Sequence, residues 1–303
     1  MPSRLRSALS AVLIALACLL APCGTLAAWA AYGLGDTGRY VAAMAPLATD
    51  PDVRDAVADT VGDGVVNEVG AGSLHTPVRL YVEDATRSFT RTEAYRAGWD
   101  AANRAVHTAV LHALRDERTA GRPVTVDLAP VTARVRSTLV RDDVPMARRI
   151  PVLHTEVTVL PAHEVDRLRK GYHVLDVAAF WLPLAAVVFA VAGIALAACR
   201  RRALTATGLG TAVGGVLLAL AVLLGRRLTL AELPGAVDAP AAGAVYDALT
   251  ATLRTASWLL VALGLTVAAA SWLTGRYGHL LRRRRPPTGP AAEPAPRPTR
   301  TRL

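Results

Sequence analysis

The chain has 303 residues, of which 52% are hydrophobic and 19% are charged, and its mean hydropathy is +0.33. This composition is too apolar for an ordinary soluble domain and too charged for a protein that lies wholly in a membrane, so we expect apolar helices together with one sizeable water-facing domain. The formal net charge of +10 does not indicate nucleic-acid binding, because residues 32–173 hold 18 basic and 19 acidic side chains. The basic excess lies beside the apolar segments and in the tail, where it is a signal of membrane topology.

The first apolar segment follows a short basic start. Residues 1–6 include Arg4 and Arg6 and are expected in the cytoplasm, whereas residues 7–35 carry no charge. Since about 20 apolar residues cross the hydrocarbon core of a bilayer, residues 7–35 are predicted to form transmembrane helix 1. The length of the run favours a retained signal anchor, and cleavage of a signal peptide at residues 28–30 is the alternative.

Residues 36–173 are predicted to form the water-facing domain. This segment contains no cysteine, so no disulfide holds it together. Asp50 before Pro51 is typical of a helix start, because the carboxylate accepts from the first free amides and proline suits the first helical position. Every fourth residue from Val53 to Val65 is a valine, which predicts an apolar stripe on this helix.

The rest of the domain is predicted to combine helices with a small sheet. A long helix is expected over residues 77–120, bent near residues 88–90. Residues 124–128 and 156–160 are rich in β-branched residues and are predicted to be strands that pair, since a lone strand leaves its backbone groups unsatisfied. A final helix is predicted to begin after Pro161 and to run into the membrane. The predicted fold class is therefore a membrane α-helical protein with four spans and a mainly helical α+β extracytoplasmic domain that carries a small two-stranded sheet.

Three further apolar segments are predicted to cross the membrane. They are transmembrane helices 2, 3 and 4, at residues 174–198, 204–224 and 255–275. The turn at residues 199–203 contains three consecutive arginines and is expected in the cytoplasm, where positive charge is retained. Residues 225–254 are then an extracytoplasmic loop, and residues 276–303 are a basic, proline-rich cytoplasmic tail that we expect to be disordered. The sequence thus predicts a multi-pass protein of the cell membrane with both termini in the cytoplasm.

Two candidate contacts lie within or beside the spans. Gly210 and Gly214 form a G-x-x-x-G pattern, which lets two helix backbones approach closely and which also arises by chance in a chain rich in glycine and alanine. Asp176 lies about one turn into helix 2, where an unpaired carboxylate is costly, and Arg226 or Arg227 is its candidate partner in an ion pair. The alternative is that headgroups solvate Asp176.

Two further candidate contacts lie outside the spans. Asn103, Arg104 and His107 fall on adjoining positions of one predicted helix, close to Trp99, and form a candidate surface for a protein partner. The favoured alternative is that Trp99 belongs to the core and the other three residues form a hydrated face. A basic run beside helix 4 is expected to contact anionic lipid headgroups, and its residues are Arg282, Arg283, Arg284 and Arg285.

The sequence contains no motif that indicates catalysis or a cofactor. His163 and Glu164 begin like the zinc-protease motif, but Arg167 stands where the second histidine is required. There is no nucleophile elbow, phosphate-binding loop or dinucleotide fingerprint. We therefore expect a non-enzymatic protein without a cofactor or a metal.

The stretches Tyr40–Pro51, Trp99–His107 and Val124–Pro130 are similar to a group of uncharacterised multi-pass membrane proteins of high-GC, actinobacterial-type bacteria. The resemblance covers most of residues 1–275. It implies one helix before an extracytoplasmic domain and several helices after it, and it implies no activity.

Two functional hypotheses follow from these observations. The first is a non-enzymatic integral membrane protein whose extracytoplasmic domain binds an envelope protein or a second copy of itself, with the lipid bilayer as its other partner. The alternative is an auxiliary or permease-like subunit of a transport system, in which Asp176 and the pair Arg226–Arg227 would affect substrate flux. No nucleic-acid partner is expected in either case.

Overall fold

The protein is mostly helical with one small sheet. The computed structural model describes residues 3–69, 75–116, 121–234 and 238–282. The helices and strands in chain order are α1 (Ser3–Ala28), a π-helical turn (Trp29–Leu34), α2 (Thr37–Met44), a 3₁₀ turn (Ala45–Thr49), α3 (Pro51–Val69), α4 (His75–Phe89), α5 (Glu93–Arg115), β1 (Val124–Asp127), α6 (Ala129–Arg141), a 3₁₀ turn (Ala147–Arg149), β2 (Glu156–Leu160), α7 (Ala162–Leu196), α8 (Arg200–Ala231) and α9 (Ala239–Arg282).

Four of these helices are long and apolar enough to cross a membrane. They are Arg4–Leu34, Ala162–Leu196, Arg200–Ala231 and Ala239–Thr274. Large apolar side chains cover their outward faces, for example Val187 with 61% and Leu217 with 58% of their surface exposed. An apolar band of this extent is not expected in water, and it is the surface that a lipid-facing helix presents.

The four long helices pack in the order α7, α1, α8, α9. α1 runs along α7 on one side and along α8 on the other, and α9 packs along α8. α1 and α9 make few contacts, and in the turn that follows α1 the Trp29 indole Nε1 donates to the Leu249 carbonyl at 3.3 Å. The arrangement is therefore closer to a layer than to a closed bundle, and α9 has α8 as its main neighbour.

Glycines set the short separation between α8 and α9. A Cβ placed on Gly264 would lie 2.5 Å from the Ala212 amide nitrogen and from the Gly208 carbonyl oxygen. A Cβ on Gly215 would lie 2.9 Å from the Ser257 carbonyl oxygen. Because these neighbours are backbone atoms that cannot turn aside, only glycine permits this approach.

The predicted G-x-x-x-G pattern packs α8 against α1 of the same chain. A Cβ on Gly214 would lie 3.1 Å from the Cys18 carbonyl oxygen and 3.3 Å from Pro22 Cδ, and a Cβ on Gly210 would meet the Cys18 sulfur. The close approach that the pattern predicts is present, and its partner is a helix within the chain.

The water-facing elements follow the sequence pattern closely at several points. The Asp50 carboxylate accepts from the amides of Asp52 at 3.0 Å and Val53 at 3.3 Å, as predicted for a helix cap. The two strands pair antiparallel, with Asp127 opposite Glu156. The predicted bend near residues 88–90 is a full break, because Thr92 caps α5.

The face of α3 that is buried is not the face that the valine stripe predicted. The buried positions are Val53, Ala58, Gly62 and Val66, whereas Val61 is 40% exposed. This face is buried because α4 packs against it. The Glu83 side chain of α4 passes over Gly62, and a Cβ at Gly62 would lie 2.9 Å from Glu83 Cγ.

Ion pairs between α3 and α4 fix this phase. Acidic side chains of α3 meet two arginines of α4, and Arg87 is bonded to Asp55 at 3.1 Å and to Asp59 at 3.3 Å. Arg79 lies 3.2 Å from Asp63. The pairs turn the acidic side of α3 toward α4, and the valines turn partly outward.

Two of the long helices are longer than a membrane span requires, and their extra turns pack against the other elements of the domain. At 1.5 Å per residue, α7 is roughly 52 Å and α9 roughly 66 Å long, against a hydrocarbon core of about 30 Å. Val245 and Leu249 of α9 pack, as Trp99 does, against the buried cluster of Met44, Leu47 and Val53. Val165 of α7 packs among α5 and β1. Most of the segment predicted as the loop 225–254 is thus helix, and the domain is built directly on the spans.

Substitution of Gly264 tests the contact between α8 and α9. We expect Gly264→Ala to lower the free energy of unfolding by about 1–3 kcal/mol, because the new methyl group meets backbone atoms. Gly171→Ala on α7 is the matched control: no atom lies within 4 Å of its Cβ position, so we expect a gain of up to about 1 kcal/mol from helix propensity. Unfolding of the full-length protein in mixed micelles measures both, and equal effects would contradict the packing described.

Candidate functional site

The end of α1 is held by side chains of the water-facing domain. The π-helical turn leaves carbonyl groups without a partner in the helix, as the last turn of any helix does. Three side chains of α2 and α5, here called the carbonyl clamp, donate to them: Arg39 Nη1 to Tyr32 O (3.2 Å), His107 Nε2 to Leu34 O (2.8 Å) and Arg115 Nη2 to Gly35 O (2.9 Å). Two of the three are cations, which also complements the negative end of the helix dipole.

His107 is neutral in the clamp, and its tautomer follows from its neighbours. The Leu34 carbonyl only accepts, so Nε2 carries the proton, and Nδ1 then accepts from the Thr37 hydroxyl at 3.1 Å. The ring stacks on Tyr40 with 4.2 Å between the ring centroids. Burial lowers the pKa of His107 below its ordinary value, and Arg115 adds to this, while the Leu34 carbonyl and Asp36 act in the opposite sense.

The residues predicted as one partner surface are separated in the structure. The Trp99 indole donates to the Met44 carbonyl at 2.9 Å and the ring packs in the core. The Asn103 amide donates to the Trp99 carbonyl of its own helix at 2.9 Å. His107 belongs to the clamp, which leaves Arg104 as the exposed member of the predicted set.

Arg104 borders a groove between α5, β1 and α6, here called the α5 groove, with a volume of about 830 Å³. Alanines at every fourth position, from Ala97 to Ala109, form its α5 wall. Close contact of Gly98 with Val135 sets the approach of α5 to α6, since a Cβ on Gly98 would lie 2.6 Å from Val135 Cγ2. The α5 wall of the groove therefore presents only methyl groups at these four positions.

Charged side chains of both signs border the α5 groove. They are Asp100, Arg104, His112, Asp127 and Arg134. The Asp127 carboxylate accepts from the Ala129 amide at 2.9 Å and from His154 Nδ1 at 2.6 Å. These two bonds lower the pKa of Asp127, so the carboxylate stays ionised well into the acidic range.

The predicted ion pair of Asp176 is not the one that the structure forms. Arg226 Nε lies 3.2 Å from both carboxylate oxygens of Asp247, and Arg254 Nη1 lies 3.3 Å from the same group. Among the described residues, no basic group lies within 4.0 Å of the exposed Asp176 carboxylate. The helix order explains why Arg226 of α8 pairs with Asp247 and not with Asp176. Asp247 lies on α9, which packs along α8, whereas Asp176 lies on α7, and α1 separates most of α7 from α8. Arg227 is exposed.

The predicted lipid contact at the end of α9 lies mostly beyond the described residues. Arg282 is the last residue of α9, and Arg283, Arg284 and Arg285 lie outside the described residues, as does the tail that we predicted to be disordered. Closer to the span, the Arg276 guanidinium lies over the Trp272 ring, 5.5 Å from its centroid. A cation and an indole together are typical of a membrane interface.

Neither a metal-binding cluster among the described residues nor a similar protein indicates a function for this chain. Within residues 3–69, 75–116, 121–234 and 238–282, no group of three or more His, Cys, Asp or Glu side chains is placed to hold a metal ion. Comparison of the chain with protein-family models, with curated proteins and with solved structures gave no match. The functional assignment therefore rests on the residues and their geometry.

Substitution of His107 tests the clamp through pH. The lowered pKa means that the folded protein disfavours protonation, so its stability is full above the ordinary value of 6.5 and falls as the pH drops from there to the lowered pKa. We expect His107→Gln to cost about 1 kcal/mol at pH 7.5. We also expect a flatter pH dependence between pH 7.5 and 5.5.

Thermal unfolding in nanodiscs at these two pH values measures both effects. All other side chains are common to both proteins, so their contributions to the pH dependence cancel in the comparison. An identical loss of stability on acidification in the two proteins would show that His107 is not the group responsible.

Proposed function

We propose that the protein is a non-enzymatic integral membrane protein of the cell envelope, with its termini in the cytoplasm and its domain outside. The charge distribution supports this orientation. Arg4, Arg6 and the arginines at 200–202 fall at one end of the layer of spans, whereas residues 36–173 are nearly neutral and lie at the other. Four alternating spans return the chain to its starting side.

We further propose that the domain binds a protein segment in the α5 groove. The observation that carries this is the groove itself: an alanine wall that lets another backbone approach, bordered by Arg104 and Arg134 as well as by Asp100 and Asp127. A helix or extended segment with side chains of both signs would satisfy these groups, which matches the way peptide segments are recognised in grooves. The segment belongs to an envelope protein or to a second copy of this chain.

The transport alternative assigns Asp176 and the pair Arg226–Arg227 a role in substrate flux. Among the described residues, no basic group lies within 4.0 Å of the Asp176 carboxylate, and Arg226 is bonded to Asp247 where α9 rises above its predicted span. No contact between these groups therefore favours transport over binding.

Cysteine labelling in intact cells tests the orientation. One variant keeps the exposed Cys199 in the turn between α7 and α8, with Cys18 and Cys23 changed to alanine. The other lacks all three native cysteines and carries Ser137→Cys on the exposed face of α6. We expect a membrane-impermeant maleimide to label position 137 in intact cells and Cys199 only after permeabilisation. The reverse pattern would overturn the orientation.

Photo-crosslinking in the α5 groove tests the partner. A photoreactive amino acid at Ala101 or Ala105 is expected to give a discrete protein adduct in intact cells, and Arg104→Glu is expected to reduce its yield several-fold. Position 137, outside the groove, is the control. An adduct of twice the chain mass identifies a second copy, and a larger or smaller one identifies an envelope protein. A yield that is equal at position 137, or that Arg104→Glu does not change, would contradict the proposal.

A further inference from the structure

A second cavity lies where the spans meet the domain, here called the juxtamembrane pocket, with a volume of about 700 Å³. It opens between α1 and α9, two helices that make few contacts with each other. Ala28 and Trp29 form one wall and Leu249 the other, while Pro183 of α7 closes its inner side. This size is in the range of pockets that hold small ligands.

The lining of the juxtamembrane pocket is almost entirely apolar. Two of the polar side chains in its walls are bonded within the protein: the Trp29 indole donates to the Leu249 carbonyl at 3.3 Å, and the Thr25 hydroxyl donates to the Ala21 carbonyl at 2.9 Å. Gly24 and Gly33 keep the wall free of side chains at two points. An unbranched hydrocarbon chain in this space therefore meets mainly apolar surface.

One cation stands at the upper rim of the juxtamembrane pocket. α2 roofs the cavity with Ala42 and Ala43, and Arg39 lies on the same helix. The Arg39 guanidinium is exposed, donates one N–H to Tyr32 O at 3.2 Å and has further donors. The predicted span ends near this level, and Trp29 and Tyr32 are the residue types that mark a membrane interface. The rim is therefore at headgroup height and the cavity below it is at acyl-chain height.

We propose that the juxtamembrane pocket binds one anionic phospholipid of the surrounding bilayer. An acyl chain lies between α1 and α9, and the phosphate accepts charge-assisted hydrogen bonds from Arg39. The apolar walls select a hydrocarbon chain, and the guanidinium at the rim selects an anion. The site is separate from the α5 groove and does not depend on the partner proposed there.

Native mass spectrometry of the full-length protein tests the site. The protein is delipidated in detergent and titrated with phosphatidylglycerol or with phosphatidylcholine of the same acyl chains. We expect one phosphatidylglycerol per chain to persist at collision energies that remove other lipids. Phosphatidylcholine carries the same phosphate, but its choline cation offsets that charge beside Arg39, so we expect it to bind at least about ten-fold more weakly. Equal retention of the two lipids would overturn the charge selection.

Three variants separate the parts of the proposal. Arg39→Gln is expected to make the two lipids bind equally. Ala42→Trp fills the pocket from the roof and Thr252→Trp fills it from the α9 wall; both positions are exposed, so both proteins are expected to fold. Each should lose the retained lipid, whereas Val188→Trp on the outward face of α7 should keep it. Retention by a folded filling variant at the level of the unaltered protein would overturn the site.

Discussion

The architecture depends on how the end of the first span satisfies its carbonyl groups. A helix that stops near the membrane surface leaves its last carbonyls unpaired at a place where water is scarce, and each costs free energy unless a donor is supplied. Here the donors are Arg39, His107 and Arg115, which come from two helices of the water-facing domain. The requirement of one helix end therefore fixes where the domain sits on the spans.

The helix order among the spans follows from small residues. Glycines on α8 face both neighbours: Gly214 faces α1, and Gly208 and Gly215 face α9. Since interhelical packing in lipid depends on close contact rather than on hydrophobic burial, these positions decide which helices are adjacent. That adjacency in turn brings Asp247 to Arg226 and leaves Asp176 without a basic neighbour among the described residues.

Much of the fold could be predicted from local sequence, and much of the site could not. The four apolar helices, the Asp50 cap and the two strands at 124 and 156 each depend on signals within a few residues, and the structure has them. The pairing of the strands could be predicted because a lone strand leaves its backbone groups unsatisfied. The phase of α3 was missed because Glu83 and Gly62 come from different helices. The clamp was missed for a related reason: Arg115 and Gly35 are 80 positions apart, and no local pattern joins them. The one available signal was Arg39, a basic residue that follows the end of the first apolar helix closely enough to bond its last carbonyl groups.

One helix connects the two proposed sites. α5 carries Arg104 at the α5 groove and His107, less than one turn later, at the clamp above the juxtamembrane pocket. The ring of His107 stacks on Tyr40 of α2, so α2 and α5 are in direct contact at the clamp. Arg39 belongs both to the clamp and to the lining of the juxtamembrane pocket, so an anionic lipid there would meet a residue that already donates to the end of α1.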